Sequence, residues 1–180
     1  MHPKGLMSAL GVATLTTLSL IAGPVPASAA AEDEPKALAD LATTYEATHR
    51  YRSVERAVED GYEPMRGCIS RAEGGMGYHY VNTARNNSTD PAKPAALFYE
   101  KAEDGSLRLL GVEWFVEDAD QKVETDDDRP TMFGQPFLGP TPGVEEGVAV
   151  HYDLHVWLYK HNPNGLFTEW NPDVRCPETD

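Results

Sequence analysis

A helical pattern of apolar positions runs through residues 36–60. The apolar side chains recur at steps of three or four residues, which is the spacing of one face of an α-helix. Gly61 is a typical C-terminal stop, and Pro64 cannot continue a helix. The pattern therefore predicts one amphipathic helix, whose stripe consists of Leu38, Leu41, Tyr45, Thr48, Tyr51, Val54, Val58 and Tyr62.

Beyond Pro64 the pattern changes to short apolar runs separated by turns. The clearest runs are residues 76–81, 96–101, 107–116 and 148–159. They predict strands, and the Asp-Gly pair between the second and third runs is a hairpin signal. We expect an α+β fold, with an N-terminal helix packed on a mostly antiparallel β-sheet or a partly open barrel. Residues 30–62 would form a lead and the helix, and residues 63–180 the β-rich part of the same single domain.

Residues 1–29 have the features of a secretory signal peptide. A short basic start is followed by an apolar, uncharged stretch and by the small-x-small pattern Ala27-Ser28-Ala29. Cleavage after Ala29 is preferred, and cleavage after Ala30 is the alternative. An uncleaved anchor is a weaker interpretation, because a spanning helix needs about 20 apolar residues. The protein is therefore predicted to be secreted, extracellular or in the cell envelope, with no membrane insertion after cleavage.

Charge and cysteine content narrow the classes of partner. The chain has 29 acidic and 15 basic side chains and a formal charge of −14. This argues against nucleic acid, since phosphate binding needs clustered Lys and Arg, and favours a small molecule or a metal ion. Cys68 and Cys176 are predicted to form a disulfide in an oxidising compartment. A pair of metal thiolates is the weaker alternative, because no Cys-x-x-Cys spacing is present.

Run 148–159 alternates between two kinds of side chain. One face is apolar, and the other carries Ala149, His151, Asp153, His155, Trp157 and Tyr159. On a strand rising about 3.3 Å per residue, His151 and His155 lie about 13 Å apart and cannot share one ion. Asp153 and His155, about 6–7 Å apart, can converge on one ion.

Two other runs each offer a candidate ligand. His79 lies between Tyr78 and Tyr80, and Glu113 is the only charge within an apolar stretch. A carboxylate buried in such a stretch is costly unless it is paired or bound to a cation. Two His and one carboxylate are a typical ligand set for a divalent ion with open positions. We therefore predict a site for Zn, Fe, Cu or Mn at His79, Glu113 and His155, with Asp153 and His151 as further candidates.

Other interpretations of the same residues stay open. The histidines of run 148–159 also suit a solvent-exposed sheet face, and His79 could bond a loop carbonyl. Glu113 could form a salt bridge with Arg108 or Arg66. Without a metal, the set could work as a general acid/base pair in which Glu113 raises the pKa of a histidine. The sequence leaves the reaction, and whether there is one, undetermined.

Two further hypotheses concern other parts of the chain. A non-catalytic module could bind a small apolar or cyclic ligand in a pocket lined by aromatic residues, for which the competing explanation is core packing. The acidic run 117–128 offers oxygen ligands for Ca²⁺ but lacks the EF-hand order and glycine, so a solvated loop is expected. An interaction protein that works through its acidic surface is a third possibility. The aromatic candidates are Tyr78, Tyr80, Trp114, Phe115 and Trp157.

Several segments resemble a family of exported bacterial proteins to which no activity is assigned. The first is Gly-Gly-Met-Gly-Tyr-His-Tyr-Val-Asn at residues 74–82. Others are residues 110–116, 133–137, 151–158 and 162–167, so that the resemblance covers most of the chain after residue 29. The resemblance implies export and a single domain, and implies nothing about activity, cofactor or ligand.

Overall fold

One open antiparallel sheet forms the centre of the protein. The computed structural model describes residues 28–143 and 147–177, with the backbone alone for residues 28–33 and 66. The strands are β1 Glu63–Arg71, β2 Gly74–Val81, β3 Ala96–Lys101, β4 Leu107–Glu117, β5 Thr131–Met132, β6 Gln135–Pro136, β7 Leu138–Thr141 and β8 His151–Val156. The main sheet has the order β1-β2-β3-β4-β8-β7, and β5 pairs with β6 alone. The predicted α+β fold is confirmed, and the sheet does not close into a barrel.

The helical part of the chain is interrupted, which contradicts the single helix predicted for residues 36–60. Helix α1 spans Ser28–Thr48, a 3₁₀ turn follows at His49–Arg52, and α2 spans Val54–Glu59. At the break, the hydroxyl of Tyr99 donates a hydrogen bond of 2.8 Å to the carbonyl of Tyr51. That carbonyl is thus paired with the sheet rather than within a helix, and the Tyr51 ring enters the core.

The predicted apolar stripe is only partly the buried face. Leu38, Tyr45 and Val58 are exposed, whereas Thr48 and the neighbouring Thr44 are fully buried. Both threonine hydroxyls donate to the carbonyl four residues earlier, which satisfies them inside the helix. The predicted stripe included Thr48 but missed Thr44, and the real contact face is rotated toward Thr44.

The main core lies between the helices and one face of the sheet. Because strand side chains alternate, every second residue of β3, β4 and β8 points to this layer. Tyr51, Ala57 and Tyr62 pack on it from the helical side. The sheet contributes Leu97, Tyr99, Val112, Trp114, Tyr152, Leu154 and Val156.

The opposite face of the sheet is covered by the C-terminal segment, residues 157–177. Asn171 exchanges two backbone hydrogen bonds with Gly75 of β2, at 3.0 and 3.1 Å. A Cβ on Gly75 would lie 2.7 Å from the carbonyl oxygen of Val174, so only glycine permits this approach. Val174 joins a second apolar cluster with Phe98, Leu110 and Trp157. This face is therefore buried, unlike a typical solvated face of a small antiparallel sheet.

A disulfide fixes the end of the C-terminal segment. Cys68 of β1 and Cys176 are bonded, with Cα atoms 5.5 Å apart and a sequence separation of 108. The predicted pairing is confirmed. In the part of the chain that the structure describes, no helix has the length and apolar character needed to cross a membrane. The predicted signal peptide lies outside the described residues, except for its last two.

Candidate metal centre

Strand register brings the candidate ligands to the face of the sheet covered by the C-terminal segment. Glu113 of β4 pairs with His155 of β8 on one side and with Ala96 of β3 on the other. His79 of β2 pairs with Phe98 of β3, two residues along the strand from Ala96. These positions share a face because paired residues of neighbouring strands point the same way.

Two small residues let His79 reach across β3 to Glu113. Ala96, the partner of Glu113 on β3, has only a methyl side chain and leaves the space above the strand open to His79, which reaches Glu113 diagonally. Gly111 pairs with Phe98, and a Cβ there would collide with the Phe98 ring and with the carbonyl oxygen of Val156. The Phe98 ring therefore lies over Gly111, with its centroid 5.8 Å from that of His79 and 5.8 Å from that of His155.

The three predicted ligands converge on one point. Glu113 Oε2 is 3.5 Å from Nε2 of His79 and 3.7 Å from Nε2 of His155. One donor atom from each residue lies within 4.8 Å of the other two. Two ligands about 2.1 Å from one ion in tetrahedral geometry are about 3.4 Å apart. The spacing is thus close enough to hold a metal ion, as the sequence predicted.

Several polar atoms around this point are buried without a hydrogen-bond partner among the described residues. They are Nδ1 of His79, both ring nitrogens of His155 and Oδ1 of Asp153. His155 Nδ1 and Asp153 Oδ1 are 3.2 Å apart, but their orientation is not that of a hydrogen bond. Buried polar atoms are nearly always paired, so a group of unpaired ones calls for an explanation.

Asp153 and His151 lie on the same face of β8 as His155, at alternate positions along the strand. Asp153 faces His155 on the side opposite Glu113, where a carboxylate can orient a ligating imidazole. Nε2 of His151 is 4.0 Å from Oδ2 of Asp153, and its Nδ1 is 2.8 Å from the carbonyl oxygen of Ala149. The structure therefore places Asp153 beside the three ligands and His151 one step further along the strand.

The alternatives for these residues receive less support from the geometry. The histidine face is not solvent-exposed, since the side chains of His79 and His155 are 5% and 3% exposed and that of Glu113 is 14% exposed. The ion pairs that Glu113 makes with described side chains are to the two imidazoles, and Arg108 is not among them.

Burial and neighbouring charges shift the pKa values of Glu113 and His155 in opposite directions. Burial alone would raise the pKa of the Glu113 carboxyl, but the imidazoles of His155 and His79 outweigh it and lower that pKa to about 2. Burial alone would lower the pKa of the His155 imidazole, whereas Glu113 and Asp153 raise it to about 9. In the absence of a metal, the site at neutral pH therefore holds a carboxylate beside an imidazolium.

Sequence reasoning missed Glu169, which lies in the C-terminal segment near the site. Burial raises the pKa of Glu169, the positive charge of His155 lowers it and the charge of Asp153 raises it, so these groups are close. Its neighbours are anchored, because Trp157 Nε1 donates to the carbonyl of Thr168 at 2.6 Å. A lone acid in a loop gives no sequence signal for such a position, and neither does Phe98 in an apolar run.

The aromatic candidates divide between the two faces of the sheet. Trp114 is fully buried in the main core, while Trp157 belongs to the cluster with Phe98 on the other face. The two tryptophans thus do not line one pocket. Tyr80 packs edge-on against Tyr99 at the margin of the main core. Core packing accounts for Trp114 and Trp157.

The acidic run forms a hydrogen-bonded loop. Asp118 is buried and accepts backbone hydrogen bonds from Asp120 and Gln121, which are typical of a turn. Asp128 accepts from the Tyr152 hydroxyl at 2.8 Å. Among the described residues, the cluster close enough to hold a metal is His79, Glu113 and His155, and no such cluster occurs in the acidic run.

Comparison of the chain with family models, with curated proteins and with solved structures found no match.

Proposed function

We propose that this is an exported protein that binds one divalent transition-metal ion through His79, Glu113 and His155. The observation that carries the proposal is the spacing of the three donor atoms, with both imidazole nitrogens 3.5–3.7 Å from one carboxylate oxygen. A charge-assisted hydrogen bond would draw such atoms to about 2.7–2.9 Å. The longer gap suits two ligands of a shared ion.

The unpaired nitrogens support a metal rather than a bare ion pair. Both ring nitrogens of His155 lack a hydrogen-bond partner among the residues that the structure describes, which costs free energy in a buried place. A metal ion bound at Nε2 would satisfy one of them, and the Asp153 carboxylate, 3.2 Å from Nδ1, is near enough to accept a hydrogen bond from the other once the ring is reoriented. Two imidazoles and one carboxylate favour Zn²⁺, Cu²⁺ or Fe²⁺ over Mg²⁺ and Ca²⁺, which prefer oxygen ligands.

The disulfide bond supports the proposal that the protein is exported. Disulfides persist in oxidising compartments and are rare in the cytosol. The Cys68–Cys176 bond closes a loop of most of the described chain, and the signal peptide predicted for residues 1–29 agrees with it. The resemblance to exported bacterial proteins points the same way.

Three protein ligands leave at least one coordination position for another molecule. This is the arrangement of catalytic ions, which polarise a bound water or take up oxygen, whereas structural zinc is bound by four residues. We accordingly propose a possible enzymatic role, with hydrolysis and oxygen chemistry both open.

Metal analysis and calorimetry on protein purified without an affinity tag test the proposal. We expect one Zn²⁺ or Cu²⁺ per chain in the wild type. Substitution of each ligand by Gln should weaken binding by more than the 10–100-fold typical of an outer partner. His49→Gln, at an exposed histidine in the 3₁₀ turn, is the matched control and should bind normally.

Either of two binding results would refute the proposed metal site. If the wild type takes up none of Zn²⁺, Cu²⁺, Fe²⁺ or Mn²⁺, or if His155→Gln and Glu113→Gln bind as well as His49→Gln, the site does not hold a metal. The group would then be an imidazolium–carboxylate pair, with the raised pKa of His155 as its main property.

A further inference from the structure

The proposed metal position has little exposure to solvent, because the side chains around it are at most 14% exposed. The imidazoles of His79 and His155 are almost completely covered, and Glu113 is the most exposed of the three ligands. Asp153 and His151 are only 11% and 13% exposed. Whatever completes the coordination of an ion must therefore enter beside the Glu113 carboxylate.

The walls around this position are rigid. Phe98 stands against both imidazoles, and the Trp157 ring packs edge-on against it with centroids 4.7 Å apart. Trp157 is fixed in turn by its hydrogen bond to the carbonyl of Thr168. Val174 fills the remaining side of this cluster. Because these groups interlock, rotation of one side chain does not make room for a large ligand.

Two clefts of the described part of the chain lie away from this position. One, of about 400 Å³, is lined by Lys36, Asp40 and Phe133, among others. Another, of about 380 Å³, is lined by Arg52 and Arg108 among others. Neither includes a proposed ligand. Typical pockets for organic ligands have volumes of roughly 300–1,000 Å³, whereas the three proposed ligands are at most 14% exposed, so their surroundings are not an open cleft of that kind.

Charge limits the class of ligand further. A divalent ion with two neutral imidazoles and the Glu113 carboxylate carries one positive charge. The Asp153 carboxylate, 3.2 Å from His155, cancels it. An anion therefore gains little from this ion, because the surrounding carboxylates oppose it.

From these observations we infer that the open coordination position takes a small uncharged molecule of the size of water or dioxygen, and excludes organic substrates and small anions. This inference rests on the proposed metal site. It deepens the proposal by naming the ligand class, and it makes hydrolysis of a bulky substrate at the ion incompatible with the structure.

A series of probes on Fe²⁺-loaded protein under anaerobic conditions tests the inference. Iron content is measured first, and Zn²⁺ binding is measured in parallel. Nitric oxide, a diatomic uncharged probe, should give an iron–nitrosyl EPR signal in nearly all of the loaded protein. Imidazole, 4-phenylimidazole and azide should leave the signal of the nitrosyl complex and its affinity for nitric oxide unchanged.

The outcomes separate the inference from the proposal on which it rests. Absence of both bound iron and bound zinc refutes the metal site and the inference together. Retention of zinc with no bound iron, or of iron with no nitrosyl signal, refutes the inference alone. Competition by 4-phenylimidazole refutes the size limit, and competition by azide refutes the charge limit.

A substitution at Phe98 tests whether the aromatic ring beside the imidazoles sets the size limit. Phe98→Leu removes the ring next to both imidazoles and leaves the three ligands in place. We expect imidazole to compete with nitric oxide in this variant and not in the wild type. If Phe98→Leu does not fold, the probes on wild-type protein decide the matter alone.

Discussion

Metal binding should depend on pH through one proton, the proton on His155. The pKa of His155 is raised to about 9 by Glu113 and Asp153 against the effect of burial. The imidazole must lose this proton to ligate an ion. At pH 7 the loss costs about two pKa units, or about 3 kcal/mol. The Glu113 carboxyl, with a pKa of about 2, is already ionised.

The dissociation constant for Zn²⁺ should therefore fall about tenfold from pH 7 to pH 8 and level off near pH 9. Calorimetry in two buffers of different ionisation enthalpy should show release of about one proton per ion at pH 7. His49→Gln should give the same slope. A dissociation constant that stays constant between pH 7 and 8, with no proton released, would refute the argument.

Raising the pH above 6.5 should lower the free energy of unfolding of the metal-free protein, whereas it strengthens metal binding. A raised folded-state pKa stabilises the fold fully below the ordinary histidine value of 6.5, and this stabilisation is lost as the pH rises through about 9. The lowered pKa of Glu113 contributes above 4.5 and is lost as the pH falls through about 2. Free energies of unfolding measured with urea should therefore show this pair contributing most between pH 4.5 and 6.5.

Three further predictions follow from individual contacts. Asp153→Asn should weaken Zn²⁺ binding by about 10–100-fold while keeping one ion per chain, because the residue orients a ligand and is not one; calorimetry showing unchanged affinity would contradict this. Gly111→Ala should lower the free energy of unfolding by about 1–3 kcal/mol, since the new methyl group displaces the Phe98 ring; urea unfolding of the metal-free variant at wild-type stability would show that the ring has room. The double substitution Cys68→Ser and Cys176→Ser should lower the free energy of unfolding by about 4–5 kcal/mol, because the disulfide closes so long a loop. It should also speed the removal of bound Zn²⁺ by a chelator, and removal at the wild-type rate would show that the C-terminal segment does not control access to the site.

The sequence predicted the side chains of the site but not how they meet. Glu113 stands out because a single carboxylate in an apolar run needs a partner, and His155 because strict alternation places it opposite the core residues. Their pairing follows from the register of β4 with β8, which no periodicity reveals. The contact with His79 depends further on the small Ala96 in the strand between them.

The parts of the fold that the sequence did not predict depend on tertiary contacts. The break in the helix reflects the hydrogen bond from Tyr99 to a carbonyl 48 residues earlier, which a local pattern cannot contain. The burial of the site face depends on the C-terminal segment, whose glycine-permitted contact with β2 joins positions about 100 residues apart. Local alternation predicted β2, β3, β4 and a longer β8 than the structure has, missed β1 and β7 of the main sheet, and gave an incomplete account of what covers the strands.

Crystals of the tag-free protein soaked in Zn²⁺, with diffraction measured at the zinc absorption edge, test the central claim most directly. The account predicts one anomalous peak on the sheet face, about 2.1 Å from His79, Glu113 and His155. Zinc elsewhere on the acidic surface, or absent from between these three side chains at full soaking, would contradict it.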